Sequence, residues 1–137
     1  RPKMSALAGG KTDAVCQTEE VTGAIATLRD DLDSGLFKAL SEPTRQRIVS
    51  ILLQHGRLNV LQIKEYCPQD RSVISRHLKF LRESGVVVHM QEGRYAYYEL
   101  NGFGIIITLR RILEQMQVLM ASCYPIAWAE FEARQSR

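Results

Sequence analysis

The chain has 137 residues, 45% of them hydrophobic and 24% charged, with a formal net charge of +3 at pH 7. That length suits one domain with a core of its own, and no run approaches the roughly 18 apolar residues of a membrane span, which argues against insertion. The three cysteines, Cys16, Cys67 and Cys123, have no CxxC spacing and no neighbouring HxxxH, which excludes a zinc finger and argues against a disulfide scaffold.

Residues 1–18 mix Gly, Ala, Lys, Thr and Ser without period and read as a flexible arm, leaving 19–137 as the folded domain. Arg1 to Gly10 contain no apolar signal core, so the cytoplasm is the expected address, with Met4 the expected natural start. From Glu19 to Leu40 apolar residues recur at helical spacing with a break at Asp33-Ser34-Gly35, predicting two short helices. Ser41-Glu42-Pro43 starts another, with a capping side chain and a proline in the first turn; Ile48, Ile51 and Leu52 share one face until His55-Gly56 stops it.

A short helix is expected from Val60 to Tyr66, ended by Cys67-Pro68-Gln69. Asp70 is the expected N-cap of the next, Arg71 to Ser84, with Gly85 closing it and Val73, Ile74, Leu78 and Leu81 as its core stripe. Two helices joined by a tight turn, the second basic, make the helix-turn-helix pattern. After Gly85 the period changes from 3.6 to 2, and residues 86–91 and 95–100 around Glu92-Gly93 predict a β-hairpin with Arg94 at its tip. The fold class is therefore mainly α with a β-hairpin wing, a winged helix-turn-helix. A long last helix begins near Asn101. In it Ile105, Leu109, Ile112, Met116, Leu119 and Cys123 form a heptad seam, widened by Ile106, Leu113 and Met120. So wide a stripe wants a partner, and a homodimer joined through terminal helices is expected, Leu32 and Leu36 contributing; an intramolecular core is the alternative.

The positive excess sits in residues 41–100, where nine basic residues face six acidic ones. Arg71, Arg76, Lys79 and Arg82 share a stretch with no acidic residue, a pattern suited to phosphates, with a merely solvated helix face as the other reading.

The segments LFKALSEPTRQRIVSILL, SVISRHLKFLRESGVV and EGRYAYYEL resemble the ArsR/SmtB family of winged-helix repressors over residues 32–123. Ser72, Ser75, Arg76, His77, Leu78, Leu81, Arg82 and Gly85 match the family's SxxSRHLxxLRESGLV signature. The resemblance implies a homodimer on double-stranded operator DNA, released when a metal ion, metalloid or oxidant binds. Helix geometry makes Gln69, Arg71, Ser72, Ser75, Arg76 and Lys79 the candidates facing the groove, Arg76 suiting guanine. His77 is either a packing residue or a phosphate contact. Arg45 and the wing's Arg94 are candidates for backbone phosphate, or for plain surface solubility.

The family's cysteine-rich metal site falls here on Asn59, Val60, Leu61, Gln62, Ile63 and Lys64, and its nitrogen-rich site on Asn101, Phe103, Glu114 and Gln117. Neither set makes a thiolate or nitrogen-rich metal site, so no cofactor is expected, and a metalloid or metal effector is left open without an identity. Cys16, Cys67 and Cys123 remain as candidates for sensing an oxidant, a persulfide or an arsenite-like metalloid, each with packing or incidental exposure as its alternative. No GxSxG, GxGxxG or P-loop spacing appears, so the chain is not expected to be an enzyme. A winged helix used for protein contact, and a DNA-binding regulator without effector, are the rival readings.

Overall fold

Local chemistry places most element boundaries. The computed structural model describes residues 17–136. The chain runs α1 (Glu19–Leu32), α2 (Leu36–Leu40), α3 (Pro43–His55), β1 (Leu58–Asn59), α4 (Val60–Lys64), α5 (Arg71–Glu83), β2 (Val87–Glu92), β3 (Tyr95–Leu100), α6 (Gly102–Cys123) and α7 (Pro125–Gln135). Mainly α with a small antiparallel sheet, this is the winged-helix class expected. No described helix is long and apolar enough to cross a membrane. The arm expected over residues 1–18 lies almost wholly outside the described residues.

The described residues divide into two units, Leu32–Thr108 and the pair of segments 17–31 and 109–136. In the first, α3 opens on Glu42, whose carboxylate accepts the Arg45 backbone N–H at 2.8 Å, with Pro43 in the first turn. Helix α4 opens on a capping box: the Asn59 side chain accepts the Gln62 N–H, and the Gln62 side chain accepts the Asn59 N–H, both at 2.9 Å. It ends at Lys64, short of the expected Tyr66, and Lys64 Nζ donates to the Gln69 carbonyl at 3.2 Å across the turn. Asp70 does precede α5, but its side chain makes no cap hydrogen bond.

Helix α5 ends in a Schellman motif. Gly85 takes φ 76°, its N–H reaches the Arg82 carbonyl, and the Val86 N–H reaches that of Leu81, whose side chain is buried like Val86's. The wing then folds back on the two-residue loop Gly93-Arg94, with Glu92 opposite Tyr95 and Gly93 at φ 60°, the positive angle a tight hairpin needs at its first loop position. Leu58 and Asn59 pair with Tyr98 and Tyr97, so the hairpin becomes a three-stranded sheet in the order β1-β3-β2. The sequence reading missed β1. Ile48, Ile63, Ile74, Leu78, Leu81 and Val86 are fully buried and tie α3, α4, α5 and the start of the wing into one core.

In the second unit Val21 and Ala24 of α1 and Cys123 of α6 are buried. The buried Asp31 carboxylate accepts two hydrogen bonds from Arg111, one from Nε at 2.7 Å and one from Nη2. That pairing holds the Asp31 carboxyl below its ordinary range and raises the Arg111 guanidinium. Beyond Tyr124 the long final helix expected from sequence gives way to a separate one, α7, with Pro125 in its first turn.

Candidate nucleic-acid interface

Helix α5 turns four different surfaces to its surroundings. Ile74, Leu78 and Leu81 face the core with no exposure. On the opposite side Ser72, Ser75, Arg76 and Lys79 are all exposed, and their spacing of i, i+3, i+4 and i+7 aligns them in one stripe. His77 and Phe80 occupy one flank, against α3: His77 Nδ1 lies 3.8 Å from Glu42 Oε2, and Phe80 lies under the Arg45 guanidinium at 4.3 Å. Arg71 and Arg82 occupy the other flank, toward the wing. Arg82 Nη1 is 3.3 Å from His89 Nε2 of β2, and Arg71 shares a concavity with Arg94 and Tyr95.

The basic residues thus separate by what they touch. Arg45 is engaged inside the protomer: its Nε donates to the Ala39 carbonyl at 2.7 Å and its Nη2 to that of Lys38 at 3.0 Å, which ties the end of α2 to α3. This is a role inside the protomer that neither expectation for Arg45, a phosphate contact or plain surface solubility, included. Arg57 pairs with Glu92 and lies 5.0 Å over the Tyr97 ring. By contrast Arg71, Arg76, Lys79 and Arg94 make no ion pair or side-chain hydrogen bond among the described residues. Their charges point to solvent, where a polyanion can neutralise them. Gln69 is half-buried in the turn and contributes its carbonyl to Lys64. His77, half-buried on the α3 flank, lies off the exposed stripe, so packing is the alternative its position favours.

The Glu42 carboxylate is held below its ordinary range, chiefly by the Arg45 backbone N–H and further by that of Thr44 and by the fields of His77 and Arg45, against an opposing effect of burial. One acidic side chain thereby starts α3 and faces a residue of α5. Its own helix cap, which sequence chemistry predicted, is also a joint between two elements.

Of the residues expected at a dimer seam, Leu36 is only 4% exposed and belongs to the protomer's core, so it has no surface to offer a partner. Ile105 packs against that same core, and Ile112 and Leu119 are half-buried. Leu32, Leu109 and Met116 are exposed. The exposed heptad on α6 is therefore Ile106, Leu109, Leu113 and Met116, offset by one position from the expected seam at two of its four places.

The candidate thiols differ as well. Cys67 is free but buried, a member of the same core cluster as Ile63 and Ile74. Cys123, the last residue of α6, is buried and in the disulfide form. Cys16 lies outside the described residues. Among the described residues no three of His, Cys, Asp and Glu gather into a site for a metal ion.

The model for the arsR family of bacterial regulatory proteins matches residues 42–88, which run from the N-cap of α3 into the wing. The transcriptional repressor SdpR of Bacillus subtilis (strain 168) is 35% identical over 68 residues, half of this chain and 74% of that one. The chain belongs to the ArsR family. The arsenical resistance operon repressor of Escherichia coli (strain K12) is 39% identical over 66 residues, 48% of this chain and 56% of the relative, so the match spans little more than half of that protein. Among solved structures, the transcriptional repressor PagR of Bacillus anthracis superposes with a TM-score of 0.50 at 33% identity, over 62% of this chain and 98% of that one. These ArsR-family relatives are named as transcriptional regulators, not as enzymes.

Proposed function

We propose that the chain is a homodimeric repressor that binds double-stranded operator DNA in the cytoplasm and is released from it by a thiol-reactive effector. The observation that carries this reading is the exposed stripe Ser72, Ser75, Arg76 and Lys79, whose two cations are unpaired, on the α5 face opposite the core. A helix supported from behind by Ile74, Leu78 and Leu81 is stiff enough to enter a major groove as a unit. Arg76 then presents a planar fork to the O6 and N7 of guanine, Lys79 a point charge to phosphate, and the two serines hydrogen bonds to either. The repressors among the relatives support the sign of regulation.

A second copy of the chain supplies what α6 lacks. Ile106 and Leu113 are 49% and 57% exposed, and with Leu109 and Met116 they form an apolar row that a partner helix would cover. Dimerisation would also place two recognition helices on successive half-sites. For the effector, Cys67 and Cys123 are equally buried, but Cys67 is a free thiol in the core whereas Cys123 is in the disulfide form, so a change of oxidation state at Cys123 is the step an oxidant, persulfide or trivalent arsenical would act on, with Cys16 as a further candidate.

The test is fluorescence anisotropy of a labelled duplex from upstream of the protein's own gene, beside a scrambled duplex, at two salt concentrations and with reduced, oxidised and arsenite-treated protein. Tight selective binding by the reduced form, lost on oxidation or with arsenite and made indifferent to both by Cys123→Ser, is the expected result. Selective binding that ignores every treatment removes the effector from the reading. Equal weak binding to both duplexes removes the repressor and leaves a winged helix that contacts protein.

A further inference from the structure

We infer that Arg71 of the recognition helix and Arg94 of the wing close on one and the same backbone phosphate of the bound duplex. The inference rests on the DNA-binding reading and adds to it a contact that couples helix and wing. The two side chains come from separate elements yet line one open concavity of about 200 Å³, with Val60 and Leu61 of α4 and Tyr95 of β3 as further walls. Neither arginine has an ion pair or a side-chain hydrogen bond among the described residues.

Three features of the fold make the convergence specific. The concavity carries no acid: Glu92, the acidic residue nearest the tip in sequence, is paired with Arg57 and so does not neutralise Arg94. The wing is tied to α5 by the Arg82–His89 contact and to β1 by the β1–β3 pairing at Tyr97 and Tyr98, so the sheet brings Arg94 to the same hollow as Arg71. Two like charges sharing a partly apolar hollow repel each other until an anion enters, and a guanidinium fork matches two phosphate oxygens at once. A single phosphate answers both charges, whereas two separate phosphates would leave the hollow empty between them.

A contact of this kind positions the protein without reading sequence. Loss of it weakens binding to operator and scrambled duplex alike, while loss of Arg76 changes the ratio between them. The full-length protein is tested as wild type, Arg71→Ala, Arg94→Ala and the double variant on the duplex from upstream of its own gene, with thermal unfolding to show that each remains folded. Each single variant is expected to bind about tenfold more weakly, and the double variant to fall well short of the roughly hundredfold loss that independent contacts would give. The slope of log K against log salt falls by about 0.9 in the double variant, the value for one phosphate. A scan of duplexes carrying one neutral methylphosphonate each then identifies the phosphate: the same position abolishes the effect of both single variants.

Losses that multiply, a salt slope reduced by about twice that value, or different methylphosphonate positions for the two arginines would overturn the shared contact while leaving the DNA-binding reading intact. Failure of the wild-type chain to prefer its own duplex overturns both.

Discussion

Helices α5 and α6 are both amphipathic, yet the chain completes only one of them. On α5 the apolar residues Ile74, Leu78 and Leu81 are fully covered by the protomer itself, and what remains outside is polar and basic. On α6, Ile106, Leu109, Leu113 and Met116 stay exposed after folding, together with Phe103 and Ile107. A helix finished by its own chain presents a chemical surface, and one left unfinished presents a demand for a partner. In the proposed function the first would read DNA and the second would join two copies of the chain.

The comparison breaks most severely at the back of the recognition helix. Leu78→Ala should destabilise the protein by about 2–5 kcal/mol in chemical denaturation, because its side chain is fully buried and the cavity cannot be refilled from solvent. If the loss is below about 1 kcal/mol, the rigid backing of α5 is not what the burial indicates. On the outer face Arg76→Ala should leave stability unchanged and cost about 1–3 kcal/mol of preference for the operator over a scrambled duplex. Equal losses on both duplexes would reassign Arg76 to phosphate.

The α6 side is sharpened by Leu113→Glu. Sedimentation should show dimer association weakened by at least about tenfold, or about 1.4 kcal/mol, with the helical content of the monomer retained. No change in association would mean that the exposed row serves something other than a second copy. The smallest effect is expected at Glu42. Its carboxyl sits below its ordinary value of 4.5 when folded, so its contribution to stability is fully present above that pH and is lost as pH falls through the lowered folded value. Glu42→Gln should flatten that acid limb in a series of denaturation curves; an unchanged limb would assign the acid sensitivity to Asp31, whose carboxyl is lowered by Arg111 in the same sense.

Much of the reading unit was legible because its signals are local. Pro43 after Glu42, the glycine at 85 and the glycine at 93 each act through backbone geometry within a turn, and the α5 stripe repeats often enough to declare its period. Strand β1 was not legible: two residues, Leu58 and Asn59, have no period, and only their pairing with Tyr98 and Tyr97 makes them a strand. Helix α7 was hidden by the apolar run before it, which reads as a continuous last helix until Tyr124-Pro125 is recognised as a fresh start. Along α6 the residues on both sides of the seam are apolar, so periodicity alone places Ile105 and Ile106 equally well.

By itself the sequence determined the order of helices and wing, the caps that bound them, and the membership of Arg71, Ser72, Ser75, Arg76 and Lys79 in one basic helix, since propensity, capping and periodicity act over a few residues. Tertiary structure alone decided which cations are free. Arg45 and Arg57 carry the same charge as Arg76 and Arg94, but the first two meet carbonyls of the preceding helix, a carboxylate and aromatic rings from other elements, and the latter two do not. It also decided that Leu36 and Ile105 face inward while Ile106 and Leu113 face out, because burial depends on what packs opposite a side chain, and that neighbour is brought there by the fold.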